Sequence, residues 1–496
     1  MKRLFFSVCL LCMAFVAQAQ IERPKLVVGL AVDQMRWDYL YYYYDKFGEG
    51  GLRRLVDEGY SCENTLINYM PTVTAIGHSS LYTGSVPALT GIAGNNFHID
   101  GQQVYCCTDR TVKGVGSDSR AALMSPRNML ATTIGDQLKV ATDFRSKVIG
   151  VALKDRASIL PAGHSADAAY WYDNSVGHFV SSSYYMDALP QWVEDFNKKN
   201  HTKPGFDVKP TDQGVTLTFR MAEAALENEN LGNRGETDML CVSVSSTDAV
   251  GHAYGTRGAE NESVFMTLDK ELAHFLSFLD AKVGRGNYLL FLSADHGGAH
   301  NPNFLKRHKI PAGGWESGEA MKALNAHLAE KFHHNIDYIN DAINYQFFVN
   351  HKALDSLQLN CDDVKAEAVS FLKRDTQYLF VVDNEHAATA SVPARIREMI
   401  INGYNRNRSG DITIVLRSNV FDEKVDDRYI GTQHGVWGPY DAHIPLVFLG
   451  WNVKHGSTSV PAHIVDVAPT VCALLHIQMP DACVGDAIMP VMEMMK

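Results

Sequence analysis

After Gln20 the chain has no C-x-x-C pair, and nowhere does it show an internal repeat, a low-complexity tract or a flexible interdomain linker. Beyond its first twenty residues it also has no apolar run long enough to cross a bilayer, which takes about 20 residues. Without C-x-x-C pairs a thiolate metal centre is disfavoured. Basic residues are in short supply: 45 Lys and Arg stand against 56 Asp and Glu, a formal net charge of −11. Such a chain is a poor non-specific binder of nucleic acid. Attraction for an anionic substrate must then be local, from metals and a few cations. Cysteines number nine. Cys9 and Cys12 lie in the N-terminal leader described below, so an odd number remains. Cys472 and Cys483 are near enough in sequence to pair, Cys106 and Cys107 are adjacent and would be strained if bridged, and Cys62, Cys241 and Cys361 read equally well as buried free thiols.

What is present begins with MKRLFFSVCLLCMAFVAQAQ. Lys2 and Arg3 form a basic start, Leu4 to Val16 an apolar stretch and Ala17-Gln18-Ala19 a small-residue cleavage site. This is the pattern of a secretory signal over residues 1–19, too short for a membrane anchor. The expected protein is exported, with the periplasm as its compartment and no stable membrane span. A hydrophobic content of 46% and a charged content of 20% are ordinary for a soluble globular protein. The length suits one large α/β domain with insertions, or two domains.

Three apolar, β-branched runs end in potential ligands. KLVVGLAVD closes on Asp33, DMLCVSVSST is followed by Asp248, and YLLFLSADH closes on Asp295 and His296. In an open α/β sheet the carboxyl ends of the strands gather along one edge, where ligands bind. NESVFMTLDKELAHFLSFLDAKV reads as an amphipathic helix between the second and third runs, which favours parallel pairing of the Asp248 and Asp295 strands. SPRNMLATTIGDQLKVAT reads as a helix with Ser125 as cap and Pro126 at its first position. SKVIGVAL reads as a strand ending at Lys154-Asp155-Arg156. Insertions are expected at about 98–125, 166–235 and 300–430, the last with helices near 317–332, 363–373 and 393–403 and room for a subdomain.

Asp and neutral His are good zinc ligands. Asp248 and His252 are four apart in DAVGH, one face of a helical turn; Asp295 and His296 precede a Gly-Gly turn; His434 sits in the glycine-flanked loop GTQHGVWG. Taken singly, each reads as readily as an ordinary loop or cap, but the carboxylates share one post-strand context. Thr74, in MPTVTAIGHSSLYTG, offers a hydroxyl at a helix start, beside free N–H groups that suit a phosphate. Thr72 is its rival, and an N-capping role is the plain alternative. Asn95, next to Asn96 in GIAGNNF, can donate to a phosphoryl oxygen or simply form a turn. Lys154 and Arg156 can clamp further oxygens or lie solvated.

In this order the segments VVGLAVDQMRWDYL, NYMPTVTAIGHSSLYTG, GIAGNN, ALKDRASILPAGH, SSTDAVGHAYG, SADHGG and GTQHG resemble the alkaline phosphatase superfamily, in particular its exported, threonine-nucleophile, phosphate-irrepressible (PafA-type) branch. The resemblance covers nearly all of residues 20–496. It implies a three-layer α/β sandwich with a mostly parallel central sheet and inserted loops or a subdomain. It also implies two Zn²⁺ ions, one held by Asp248, His252 and His434, the other by Asp33, Asp295 and His296 with Thr74 reaching it. Thr74 would be the catalytic nucleophile, passing through a phospho-threonine, while Asn95, Lys154 and Arg156 hold the substrate. The cationic Lys-Asp-Arg segment favours phosphate monoesters over diesters as small-molecule partners. PTVTAIG lacks the Cys- or Ser-x-Pro-x-Arg segment of the related sulfatases. One departure is Ala75-Ile76 where relatives often carry a Pro-containing segment. The competing readings are a phosphodiesterase or nucleotide pyrophosphatase of the same superfamily and a non-catalytic metal- or phosphate-binding relative. Oligomeric state is not readable from these features.

Overall fold

The computed structural model describes residues 22–494, so the leader expected at residues 1–19 lies outside the described residues. The strand Leu26–Val32 lies inside a ten-stranded sheet. Its sequence LVVGLAV is apolar throughout and every position is buried, as a strand covered on both faces requires. On one side it pairs in parallel with Asp238–Val244, followed by Val148–Ala152 and Ala168–Asp173, also parallel. On the other side it pairs in parallel with Tyr288–Ser293, which takes Leu446–Gly450 as an antiparallel neighbour. Short strands extend both edges: Tyr60–Cys62 and Gly456–Thr458 beyond Leu446–Gly450, and His178–Ser182 and Gly114–Val115 beyond Ala168–Asp173. Helices pack in two groups, Thr74–Thr83 with Asp155–Ala162 and Asp212–Asn228 with Ala259–Leu279. The expected α/β architecture with a mostly parallel central sheet is present.

Five local expectations are corrected. The Asp248 and Asp295 strands are parallel but do not pair with each other, because Leu26–Val32 lies between them and pairs with both. The helix expected from Ser125 starts at Ile134. The Ser125 hydroxyl goes to Asp109 Oδ2 at 2.7 Å, while Thr133 and Asp136 form a capping box that fixes the later start. The stretch 166–235, read as leaving the core, opens with two strands of the central sheet, Ala168–Asp173 and His178–Ser182. Tyr170, Trp171 and Tyr172 are buried there. The cysteines from Cys62 onward are all free thiols, Cys472 and Cys483 included. The stretch 98–125 holds more than loop, since the hairpin Asn96–Ile99 with Gln102–Tyr105 reaches into its start.

The 300–430 stretch builds its own four-stranded antiparallel sheet, in the order Ile339–Ile343, Gln346–Val349, Ile412–Leu416, Tyr378–Asp383. A separate apolar core fills it, including Trp315, Leu324, Phe347 and Ile414. Helices Ser317–Phe332, Cys361–Leu372 and Ala394–Gly403 occupy the positions their patterns predict. Its polar contacts run back to the hairpin at 96–105 and to the loop that carries His434. His98 Nε2 meets Asp341 Oδ2 at 2.7 Å, Asn344 donates to Asn96 O at 2.8 Å, and Tyr345 donates to His434 O at 3.0 Å.

Long-range capping ties the peripheral helices to the core. Leu52–Glu58 begins at Gly51, which has no side chain to cap it. Asp269, on the helix Ala259–Leu279, does so instead, accepting from Leu52 N at 2.7 Å and Gly48 N at 2.8 Å. Asp269→Ala leaves both donors unpaired and is expected to lower stability by about 1–3 kcal/mol. The urea unfolding midpoint measures this; an unchanged midpoint would mean that water replaces the carboxylate without cost.

Candidate active site

Asp33 is the first residue after the central strand, and its N–H still bonds Val244 O at 3.1 Å, so the carboxylate leaves the sheet at the strand's carboxyl end. Asp295 lies two residues past the end of the neighbouring strand Tyr288–Ser293. Asp248 lies in the first turn of the helix Ser246–Tyr254, which begins just after the third strand, with His252 one turn on. The loop 431–437 brings His434 in from the far end of the chain. All six sequence-predicted ligand residues therefore meet in one crevice. Asp33, Asp295 and His296 offer ligand atoms within 4.8 Å of one another, and so do Asp248, His296 and His434. The second grouping contains His296 where the resemblance implied His252. His252 stands beside it, with Nε2 3.1 Å from Asp248 Oδ1. His296 and His434 stack face to face, ring centroids 3.6 Å apart. His252 is 32% exposed while Asp33, Asp295 and His296 are wholly buried, so the crevice opens on the His252 side.

The donor set fits cations. Asp33 Oδ1, Asp295 Oδ2 and His296 Nε2 are buried and have no hydrogen-bond partner. Buried polar atoms are normally paired, so an orphaned imidazole nitrogen with two orphaned carboxylate oxygens within 3.5 Å of it calls for an explanation. Each imidazole also turns its Nδ1 to a backbone carbonyl: His252 to Thr432 O at 3.0 Å, His296 to Gly297 O at 2.8 Å, His434 to Thr72 O at 2.7 Å. A carbonyl only accepts, so Nδ1 carries the hydrogen and Nε2 is the ring nitrogen that faces inward. Oxygen and nitrogen donors in this mixture suit zinc and similar divalent ions.

Charge balance within the crevice is tight. Burial, then the neighbouring Asp248 and Asp295 carboxylates, push the Asp33 carboxyl well above the usual range. Burial acts the same way on Asp248, but His252 and Lys154 overcome it and hold Asp248 well below that range. Burial, with His296 alongside, keeps His434 well below an ordinary imidazole, which is the neutral form a ligand needs. Lys154 Nζ lies between the carboxylates, 2.6 Å from Asp33 Oδ2 and 2.5 Å from Asp248 Oδ2. This pairing was not expected for a residue read as a clamp on substrate oxygens. It uses two of the three ammonium donors.

Thr74 is the first residue of the helix Thr74–Thr83; the cap is Val73, and no side chain does the capping. The N-cap alternative for Thr74 is thereby removed. Thr72 is committed elsewhere, its hydroxyl donating to Val436 O at 3.0 Å and lying 3.2 Å from Asp441 Oδ2. The Thr74 helix presses on the Asp295 segment: a Cβ on Gly77 would meet Asp295 O at 2.1 Å. Thr74, Gly77 and His78 share that face by helical spacing, and His78 Nδ1 is 3.3 Å from Asp295 Oδ2. Asn95 Oδ1 accepts from Ala75 N at 2.9 Å. That bond fixes the amide's orientation and leaves its NH₂ as the free donor beside the helix start. Asn96 is exposed and opens the hairpin. Arg156 follows Lys154 on the helix Asp155–Ala162; its NH1 meets Tyr105 Oη at 3.1 Å, and its buried Nε has no partner.

Several contributing residues were not singled out from the sequence. Gln34 donates from Nε2 to Asp248 Oδ1 at 2.7 Å and from its backbone N to Asp295 Oδ1 at 3.2 Å, at a positive φ of 60°. It joins two ligands to the strand end that carries the third. Its signal was position alone, directly after Asp33. His78 lies one turn after Thr74 in the same quoted motif. Asp441 accepts from Val436 N at 2.8 Å and holds the His434 loop against Thr72; burial pushes its carboxyl up to about 7.

Comparison with known proteins now bears on this arrangement. The chain matches the family described as type I phosphodiesterase/nucleotide pyrophosphatase over residues 27–437. It is 45% identical to a protein of Myroides odoratus named calcium-transporting ATPase, with 98% of each chain covered. It is 43% identical to alkaline phosphatase PafA of Elizabethkingia meningoseptica, over 94% of each chain, and 43% identical to alkaline phosphatase PhoV of Synechococcus elongatus, over 94% of this chain and 93% of that one. The crystal structure of wild-type PafA superposes with a TM-score of 0.91, covering 95% of this chain and 99% of the other.

Because His296 belongs to both ligand groupings, His296→Ala is expected to deplete metal at both positions, and His252→Ala at one. Elemental analysis of the purified variants after dialysis reads the difference; equal losses would separate His296 from one of the groupings.

Proposed function

The chain belongs to the type I phosphodiesterase/nucleotide pyrophosphatase family of the alkaline phosphatase superfamily, and from that premise we propose that its crevice hydrolyses phosphate monoesters to alcohol and inorganic phosphate by way of a phospho-threonine at Thr74. Phosphomonoesterase activity follows from the alkaline phosphatase relatives and the PafA-like fold. The observation that carries the finer reading is the uncapped Thr74 at a helix start pressed against a crevice of converging, partly orphaned ligands.

The chain's own groups divide the work. The Thr74 hydroxyl attacks phosphorus, the P–O bond to the alcohol breaks, and water later cleaves the phospho-threonine to free phosphate and restore the hydroxyl. The free NH₂ of Asn95 donates to a non-bridging oxygen. The third ammonium hydrogen of Lys154 and the unpartnered Nε of Arg156 supply charge to the others, where negative charge accumulates in phosphoryl transfer. Burial of Asp33, Asp295 and His296 limits water around the ligands and strengthens each of these contacts. Two Zn²⁺ ions, one with Asp248, His252 and His434 and one with Asp33, Asp295, His296 and Thr74, would supply Lewis acidity to the attacking and leaving oxygens.

The terminal phosphoryl group of a nucleotide also presents three unsubstituted-type oxygens. A nucleotide is therefore within the proposed class of substrates, alongside other phosphate monoesters. Among the described residues no helix is long and apolar enough to cross a membrane. With residues 1–19 read as a leader, the protein acts outside the cytoplasm, in the periplasm.

Thr74→Ala is expected to lower turnover of p-nitrophenyl phosphate by at least ~10³-fold, the scale of a lost nucleophile. Chelation should abolish the activity and added zinc restore it. Lys154→Ala should lower monoester turnover far more than that of bis(p-nitrophenyl) phosphate. A native preference for the diester that survives Lys154→Ala would replace this reading by a phosphodiesterase.

A further inference from the structure

Arg156 is held by a short relay that no ligand or nucleophile position accounts for. Tyr105 Oη accepts from Arg156 NH1 at 3.1 Å and donates to Asp155 Oδ1 at 2.6 Å. Asp155 Oδ1 also accepts from the Arg156 backbone N at 2.8 Å, closing the relay on the start of the same helix. Burial raises the Tyr105 phenol well above its usual range, so it stays protonated and keeps both roles. The relay occupies one end of the guanidinium fork. The opposite Nε is buried and unpartnered, the edge left for an anion.

Tyr105 is also tied to the second oxygen-binding residue. It closes the hairpin in register with Asn96, and the next residue, Cys106, donates from N to Asn95 O at 2.9 Å. The end of one hairpin thus anchors the Asn95 backbone and, through the phenol, the Arg156 fork. The hairpin in turn is held from the four-stranded subdomain by His98 with Asp341 and by Asn344 with Asn96 O.

We infer that Tyr105 is a positioning residue for Arg156, and that through it the 96–105 hairpin helps select phosphate monoesters over diesters. A monoester presents a third terminal oxygen with charge for the guanidinium to meet; a diester carries an organic group at one such position and draws less on it. A phenol that fixes the guanidinium therefore favours the monoester. The inference rests on the phosphomonoesterase reading of this crevice and deepens it.

The test uses the full-length, zinc-loaded enzyme with Tyr105→Phe, which keeps the ring and removes only the hydroxyl. Its kcat/KM for p-nitrophenyl phosphate is expected to fall about tenfold, the size of one charge-assisted hydrogen bond. Its kcat/KM for bis(p-nitrophenyl) phosphate should stay within about twofold on the same scale, and inhibition by inorganic phosphate should weaken in step with the monoester loss. In an Arg156→Ala background, Tyr105→Phe should have no further effect on the ratio of the two substrates. Equal losses on both substrates would make Tyr105 merely structural and overturn the inference, and so would a full Tyr105→Phe effect persisting in Arg156→Ala. If Arg156→Ala alone left the monoester-to-diester ratio unchanged, the failure would lie in the role given to Arg156 in the phosphomonoesterase reading.

Discussion

Three buried carboxylates at the ends of three adjacent parallel strands repel one another in a medium that screens them poorly. Everything around the crevice answers that constraint. Asp33, Asp248 and Asp295 are brought together because Leu26–Val32 pairs with both Asp238–Val244 and Tyr288–Ser293 in matching register. Like charges this deeply buried are tolerable only with compensating charge and hydrogen bonds. Lys154 supplies a cation to two of them, Gln34 supplies hydrogen bonds to two, and the imidazoles complete the shell. The orphaned oxygens of Asp33 and Asp295 mark how much compensation the polypeptide leaves to bound ions.

The second demand is rigidity, since ligands on turns and loops are useful only if held. Here the inserted subdomain acts on the site although it contributes no ligand. Tyr345 bonds the His434 carbonyl, Trp437 Nε1 bonds Leu416 O at 2.9 Å, and Arg408 reaches Gly91 O at 2.6 Å. The two segments fixed in this way carry His434 and Asn95. Asp441 also binds the His434 loop to Thr72, two residues before Thr74. A catalytic geometry spread over loops is thus braced by a second core, in keeping with the need to hold such groups to within a fraction of an ångström.

What the sequence made legible was local. An apolar run ending in a carboxylate announced each of the three strand ends, and the DAVGH spacing placed Asp248 and His252 on one helical face, as observed. What it could not decide was long-range. Thr72 and Thr74 look alike in PTVT until Thr72 is seen to spend its hydroxyl on Val436, 364 residues away. Lys154 looked like a free clamp because its carboxylate partners lie 121 and 94 residues distant. The strand order failed for the same reason: a helix between two strands implies that they run parallel, not that no third strand enters between them. The helix start at Ile134 was lost to a competing local signal, since Ser-Pro at 125–126 has the form of a cap while the working box lies eight residues on.

The candidate ligands run from Asp33 to His434, and the antiparallel strand Leu446–Gly450 that flanks Tyr288–Ser293 comes later still. Contacts so far apart along the chain form late and slowly in folding. The crevice is therefore a property of the finished polypeptide: a chain grown past Asp295 but short of His434 has its three carboxylates and lacks the imidazole that stacks on His296.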